Sequence, residues 1–262
     1  MDETASTSRK RQRDPESGSS DGSLLLEDSL ALTDTFVAVR MMSAQFPYIE
    51  KVSVRPFVLQ SQLYCSIKDR TQVDRELESL KREKMVRIFK LYTGRDDRAI
   101  MLLEEYLSQI EHVVKIMEEK KKEKLPVFEW FKAHIISSKL DPCIGHHELC
   151  SLLSLGGKVK EEHVSLLINA GLLTRQPIDP NMYWFAIPSV GPVLKGLSQG
   201  RNELLSLLNR RKFKEMMMAT LEKKRLRFSL LDMRFHLRDL IGSGHLTTVE
   251  TPSGLIVRVT KD

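Results

Sequence analysis

Three cysteines in 262 residues, Cys65, Cys143 and Cys150, leave one unpaired whatever the pairing, and none falls in a Cys-x-x-Cys spacing. That usage argues against a disulfide framework and for a reducing compartment. No apolar stretch approaches the ~20 residues that cross a bilayer, and no apolar signal-peptide core follows the start methionine. No membrane partner is expected. The chain has no Gly-x-x-x-x-Gly-Lys or Gly-x-Gly-x-x-Gly phosphate loop and no Gly-x-Ser-x-Gly elbow. It also lacks a His-Arg-Asp catalytic loop and an Asp-Phe-Gly metal site, so phosphoryl transfer of the protein-kinase type has no visible machinery. No enzyme and no cofactor are expected.

What the chain does have is concentrated positive charge. Residues 201–227 hold Arg201, Arg210, Arg211, Lys212, Lys214, Lys223, Lys224, Arg225 and Arg227 against only Glu203, Glu215 and Glu222. That local excess equals the formal net charge of the whole chain, +6, so the remainder sums close to neutral. A basic field gathered in one segment attracts phosphates and releases their counterions. A solvated helical face is the structural alternative. Hydrophobic residues at 41% and charged residues at 29% fit a soluble globular chain, and the length allows one large domain or two to three small ones.

A recurring phrase sets the architecture. Each copy has a helical stretch, a short break, and two β-type runs around a polar turn. The first copy places a helix at residues 74–81 and strands at 85–91 and 99–103, around Gly94-Arg95-Asp96-Asp97. In the second, a helix at 166–171 leads to strands at 172–174 and 182–187, around Pro177-Ile178-Asp179-Pro180-Asn181. The third has a helix at 237–242 and strands at 245–249 and 255–259, around Pro252-Ser253-Gly254. Helical spacing of apolar residues marks preceding helices at 33–46, 127–136 and 193–208, with Pro126 and Pro192 where a helix start tolerates proline.

Helices followed by an antiparallel hairpin are the plan of a winged helix, whose last helix can enter a major groove. The pattern predicts an α+β, mostly helical chain of three tandem winged-helix domains at residues 31–122, 123–190 and 191–262. Residues 1–30 read as a polar and basic disordered tail. Within that tail Arg9, Lys10, Arg11 and Arg13 form a candidate nuclear-import cluster. The charged segment at residues 118–124 marks a solvated helix end at the first boundary.

Some conspicuous residues point elsewhere. Cys143-x-x-His146-His147-x-x-Cys150 has zinc-type ligands, but no fourth ligand is evident unless both histidines bind, and no metal is expected. The Met216-Met217-Met218 run reads as helix, with at least one residue in the core. Trp130, Trp184 and Phe185 read as core or wing packing. The acidic Glu161-Glu162-His163 start of the second domain's helix should avoid nucleic acid and meet a protein.

Several phrases resemble the serine/threonine-protein kinase 19 family. They are Phe57-Val58-Leu59-Gln60-Ser61-Gln62-Leu63-Tyr64, Asp69-Arg70-Thr71, Asp74-Arg75-Glu76-Leu77, Asn169-Ala170-Gly171-Leu172-Leu173-Thr174 and Trp184-Phe185-Ala186-Ile187-Pro188. Gly200-Arg201, Lys212-Phe213-Lys214-Glu215, His236-Leu237 and Asp239-Leu240-Ile241-Gly242 extend the likeness over about residues 35 to 260. The resemblance implies three winged-helix domains in the nucleus, on chromatin, binding double-stranded DNA. It further implies transcription-coupled nucleotide excision repair at stalled RNA polymerase II, with repair-complex proteins as partners. The family's DNA-contacting basic positions carry over onto Arg210, Lys212, Lys224 and Arg225, while Asn209 stands where the family has an arginine.

Phosphate contact is the expected binding mode, because lysine and arginine position a duplex without reading it. Lys68 and Arg70 beside a Thr71 helix cap are a further expected phosphate site in the first domain. Two alternatives stay open: an adaptor that docks only to proteins, and an unrecognised protein serine/threonine kinase. A homodimer also stays open.

Overall fold

A computed structural model of the chain describes residues 33–50, 52–93, 97–121 and 125–260. The expected tail with Arg9, Lys10, Arg11 and Arg13 lies outside the described residues. So do Gly94, Arg95 and Asp96 of the first turn and residues 122–124 at the first expected boundary. From Thr33 onward the chain forms one compact unit.

All three helix-and-hairpin phrases are present, and each includes a third, short strand. The first phrase runs α1 (Asp34–Ala44), β1 (Val58–Leu59), α2 (Gln60–Ser66), α3 (Arg70–Arg82), β2 (Val86–Lys90) and β3 (Arg98–Leu102). A long helix, α4 (Leu103–Lys121), leads onward. The second phrase begins with α5 (Val127–Trp130), which continues as a π-helical stretch (Phe131–Ile136). Then come β4 (Cys143–Gly145), α6 (His146–Ser154), α7 (Glu161–Asn169), β5 (Leu173–Arg175) and β6 (Met182–Phe185). The third phrase is α8 (Gly191–Asn209), β7 (Glu215–Met217), α9 (Met218–Glu222), α10 (Met233–Gly242), β8 (Leu246–Thr251) and β9 (Gly254–Val259). In every sheet the last strand lies in the middle, antiparallel to both neighbours.

Local chemistry explains the element ends. The Thr33 hydroxyl caps α1 by accepting from Phe36 N at 3.2 Å, and Asp232 caps α10 by accepting from Phe235 N at 2.8 Å. Helix α8 starts with a proline near its first turn and buries Val193, Leu197, Leu204 and Leu208 along one face. One expectation is corrected: Met216 and Met217 lie on β7, paired with Val257 and Ile256, and only Met218 is helical. The three-residue strand is too short to show alternation in sequence, so the run read as helix.

The core does not divide at residues 122/123 or 190/191. One cluster fills the first phrase with Phe36, Val39, Leu63, Val73, Leu77 and Ile100. Another fills the third with Leu204, Leu221, Met233, Leu240 and Val257. The largest cluster begins on the other side of the first sheet, at Phe57, Phe89 and Met101. It continues through Phe128, Phe131 and Phe185 to Val193, Leu197 and Phe235. Each fully buried large apolar side chain contributes about 1.5–3 kcal/mol, so the shared cluster binds all three phrases together. Arg87 of β2 is buried in this contact, its guanidinium 4.2 Å from the Phe185 ring centre and its Nη1 donating to Lys139 O at 3.0 Å. Trp130 and Trp184 are half-buried, and Gly156 and Gly157 leave room for the Trp130 ring. No helix among the described residues is long and apolar enough to cross a membrane.

Candidate nucleic-acid interface

Two loops of the third phrase carry most of the expected basic residues. The first, between α8 and β7, holds Arg210, Arg211, Lys212 and Lys214, all exposed. The second, between α9 and α10, holds Lys223, Lys224, Arg225 and Arg227, of which Lys224 is half-buried and the rest exposed. The fold brings the two loops to one groove of about 870 Å3 beside the C-terminal half of α8. Arg210 and Arg211 line it from one loop, Arg227 and Phe228 from the other, and Asn202, Glu203 and Ser206 from the helix.

The three acids of this segment do not neutralise it. Glu203 accepts from the backbone N–H groups of Arg227 at 2.9 Å and Phe228 at 3.3 Å, fixing the second loop. Glu215 pairs with Arg258 at 2.6 Å across the β7–β9 ladder, and Glu222 pairs with Arg234 at 3.4 Å. The eight basic residues of the two loops form no ion pair among the described residues. Their charge therefore stays available to an external anion.

Arg201 is the exception and corrects the expectation. It is 3% exposed, midway along α8. Its Nε donates to Asp239 Oδ2 at 2.6 Å and its Nη2 to Asp239 Oδ1 at 2.9 Å. Its Nη1 and Nη2 also reach Asp97 at 2.6 and 3.1 Å. Burial opposes its charge, but the two carboxylates outweigh that and hold its pKa above the usual arginine value. A guanidinium so paired and buried is closed to phosphate; it joins the turn after β2 to α8 and α10.

The first phrase's expected phosphate site is also occupied from within. The cap of α3 is Asp69, not Thr71: the Asp69 carboxylate accepts from Thr71 N at 2.9 Å and Gln72 N at 3.2 Å. Those amides were the expected phosphate donors. Arg70, although exposed, donates through Nη2 to Gly242 O at 2.9 Å and lies 5.1 Å from the Tyr64 ring centre. Lys68 is exposed just ahead of the cap.

The third helix of the third phrase, α10, is closed to a major groove. Seven of its ten residues are buried: Met233, Leu237 and Leu240 lie in the third phrase's own core, and α2 covers the side toward Phe235, Asp239 and Gly242. Ser61 Oγ donates to Asp239 Oδ1 at 2.7 Å and Gln62 Nε2 to Phe235 O at 3.1 Å. Gly242 is needed for this approach, since a Cβ there would lie 1.6 Å from Ser61 O. Behind it His236 is fully buried, its Nε2 2.7 Å from Ser229 Oγ, and burial pushes its pKa down to about 4. Of the other third helices, α7 exposes Glu161 and Glu162, while α3 exposes a mixture including Asp74, Arg75 and Glu78.

The cysteine–histidine segment is held by ordinary contacts. His146 Nδ1 lies 3.0 Å from Tyr183 Oη, and its Nε2 lies 3.6 Å from Cys150 Sγ. Among the described residues no three metal-binding side chains converge.

The model of the family described as inactive serine-threonine protein kinase 19 matches residues 28–259. The chain belongs to this family. Among its relatives, a human protein named winged helix repair factor 1 is 27% identical over 205 residues, covering 78% of this chain and 76% of the relative. A Xenopus laevis protein of the same name is 28% identical over 230 residues, covering 87% and 84%. One from Dictyostelium discoideum is 26% identical over 268 residues, covering 89% of this chain and 66% of the relative.

Within this family member, sequence reasoning passed over two residues that shape the groove. Glu203 read as a charge to be subtracted from the basic total, whereas it organises the second loop. Phe228 was not singled out in the sequence, yet it is 64% exposed at the groove wall. The signal was present in Arg227-Phe228, an aromatic directly beside a cation.

Proposed function

We propose that this chain is a nuclear, non-enzymatic repair factor that binds double-stranded DNA mainly through its phosphates. In this reading the three helix-and-hairpin phrases are three winged-helix domains, at residues 31–122, 123–190 and 191–262, docked into one body. The role is in transcription-coupled nucleotide excision repair, with RNA polymerase II and repair-complex proteins as partners on chromatin. The names of the relatives and the family's description as inactive support the repair and non-enzyme parts.

One observation carries the DNA part: the two basic loops converge on one groove, Glu215 and Glu222 are paired with Arg258 and Arg234 elsewhere, and Glu203, on the groove's helical side, is bonded to the second loop's backbone. A surface of that kind holds phosphates without reading bases. The covering of α10 by α2 supports weak base preference, because a buried helix cannot enter a major groove. The test is charge reversal. The combined variant Arg210→Glu, Lys212→Glu, Lys224→Glu, Arg225→Glu should abolish the duplex shift in a gel while keeping the wild-type melting temperature. Retained binding would point instead to a protein-docking adaptor.

A further inference from the structure

The groove between α8 and the second basic loop has a feature that duplex phosphates do not use. Phe228 displays its ring there, 64% exposed and with no ring partner among the described residues. The loop bearing it is fixed on two sides. Glu203 accepts from the Arg227 and Phe228 N–H groups. On the other side the loop backbone lies against Gly196 of α8, where an added Cβ would stand 3.1 Å from Leu230 N. The backbone that carries the ring is therefore held in place, so little loop entropy is lost when something stacks on it.

The groove's charges are arranged in two zones. Arg210, Arg211 and Arg227 supply cations, whereas the α8 side offers Gln199, Asn202 and the Glu203 carboxylate. A phosphate is attracted by the arginines and repelled by Glu203. A nucleobase has amino and ring N–H donors that suit amide and carboxylate acceptors, and a flat face that suits a phenyl ring. A volume of about 870 Å3 is ample for one base and its sugar. In a closed duplex every base face is already stacked inside, so Phe228 gains nothing from it. An unpaired base offers that face.

We propose that this groove takes an unpaired base at a junction between duplex and single strand, with Phe228 as the stacking face and the arginines on the flanking phosphates. This rests on the DNA-binding reading above and deepens it: the preferred ligand is a duplex that has begun to open. Phe213, 67% exposed between Lys212 and Lys214, is outside this site; the Lys212 ammonium already sits 5.4 Å from its ring centre.

The experiment compares a closed duplex with a forked duplex of the same length and charge by fluorescence anisotropy. The fork carries 2-aminopurine at the first unpaired position. Wild-type protein should bind the fork about 5-fold or more tightly than the closed duplex, and should quench the 2-aminopurine emission. Phe228→Ala should lose both the preference and the quench while holding closed-duplex affinity within about 2-fold. Phe228→Trp should keep both, and Phe213→Ala should leave both unchanged. Equal wild-type affinity for the two probes, or a parallel loss on both with Phe228→Ala, would overturn the junction proposal and leave the duplex reading standing. Binding to neither probe at low salt would remove both.

Discussion

Arg201 on α8 grips Asp239 on α10 through two parallel hydrogen bonds, at 2.6 and 2.9 Å, with both side chains withdrawn from solvent. The same guanidinium reaches Asp97, and Asp239 also accepts from Ser61 Oγ, so one cluster links the first and third phrases. Removing the cation would leave two carboxylates facing each other in a buried site. Arg201→Ala should cost about 3–5 kcal/mol, a fall of roughly 6–20 °C in Tm for a body of this size. By contrast, Arg210→Ala should leave Tm within about 2 °C, since exposed substitutions of this kind move stability by about 0.5 kcal/mol or less. Paired thermal melts decide it, and a small shift for Arg201→Ala would contradict the cluster's structural role.

Gly242 offers a second test of how the first and third phrases meet. An alanine there would drive its Cβ into the Ser61 carbonyl, a backbone atom that cannot rotate aside. Gly242→Ala should destabilise by about 3 kcal/mol or more, the upper end for overpacking. Gly191→Ala is the control: nothing lies within 4 Å of the added carbon, and alanine favours helix. Urea unfolding should therefore separate two identical substitutions, one at the start of α8 and one at the end of α10: the second strongly destabilising, the first neutral or slightly stabilising.

Acid should loosen the protein through His236. Burial, reinforced by the nearby Arg201 cation, lowers its pKa to about 4 despite the pull of Asp239, Asp232 and Glu203. The unfolded chain takes up a proton near the ordinary histidine value of about 6.5 and the folded chain only near 4. Between those values the unfolded state binds more protons and is favoured. The stability contributed is fully present above about pH 6.5 and declines as pH falls through 4, by about 3 kcal/mol in all. Urea titrations at pH 7.5 and 4.5 should show this loss in the wild type. The His236→Gln variant should show a pH dependence smaller by that amount, and identical slopes in the two proteins would count against it.

The longer elements were legible because their periodicity is strong. Val86 to Lys90 alternates enough to read as a strand, and the α8 apolar face repeats at helical spacing. The strands β1, β4 and β7 hold only two or three residues each, too few to carry a period. Arg201 misled for a different reason. An arginine reads the same in sequence whether it meets phosphate or carboxylate, and its partners lie 38 and 104 residues away. At α3, Asp69 and Thr71 are both good caps two positions apart, and only the fold shows which one turns toward the helix amides. The groove was invisible because residues 210–214 and 223–228 meet only through the folded third sheet and α8.

The shared core has a consequence for how the gene product can fail. Phe235, in the last helix, stands edge-on to Phe57 and Phe46 of the first phrase, at 6.1 and 6.0 Å. A premature stop late in the message would therefore do more than delete a terminal module. It would lay bare a greasy flank at the opposite end of the polypeptide, marking the whole shortened product for chaperones and proteases.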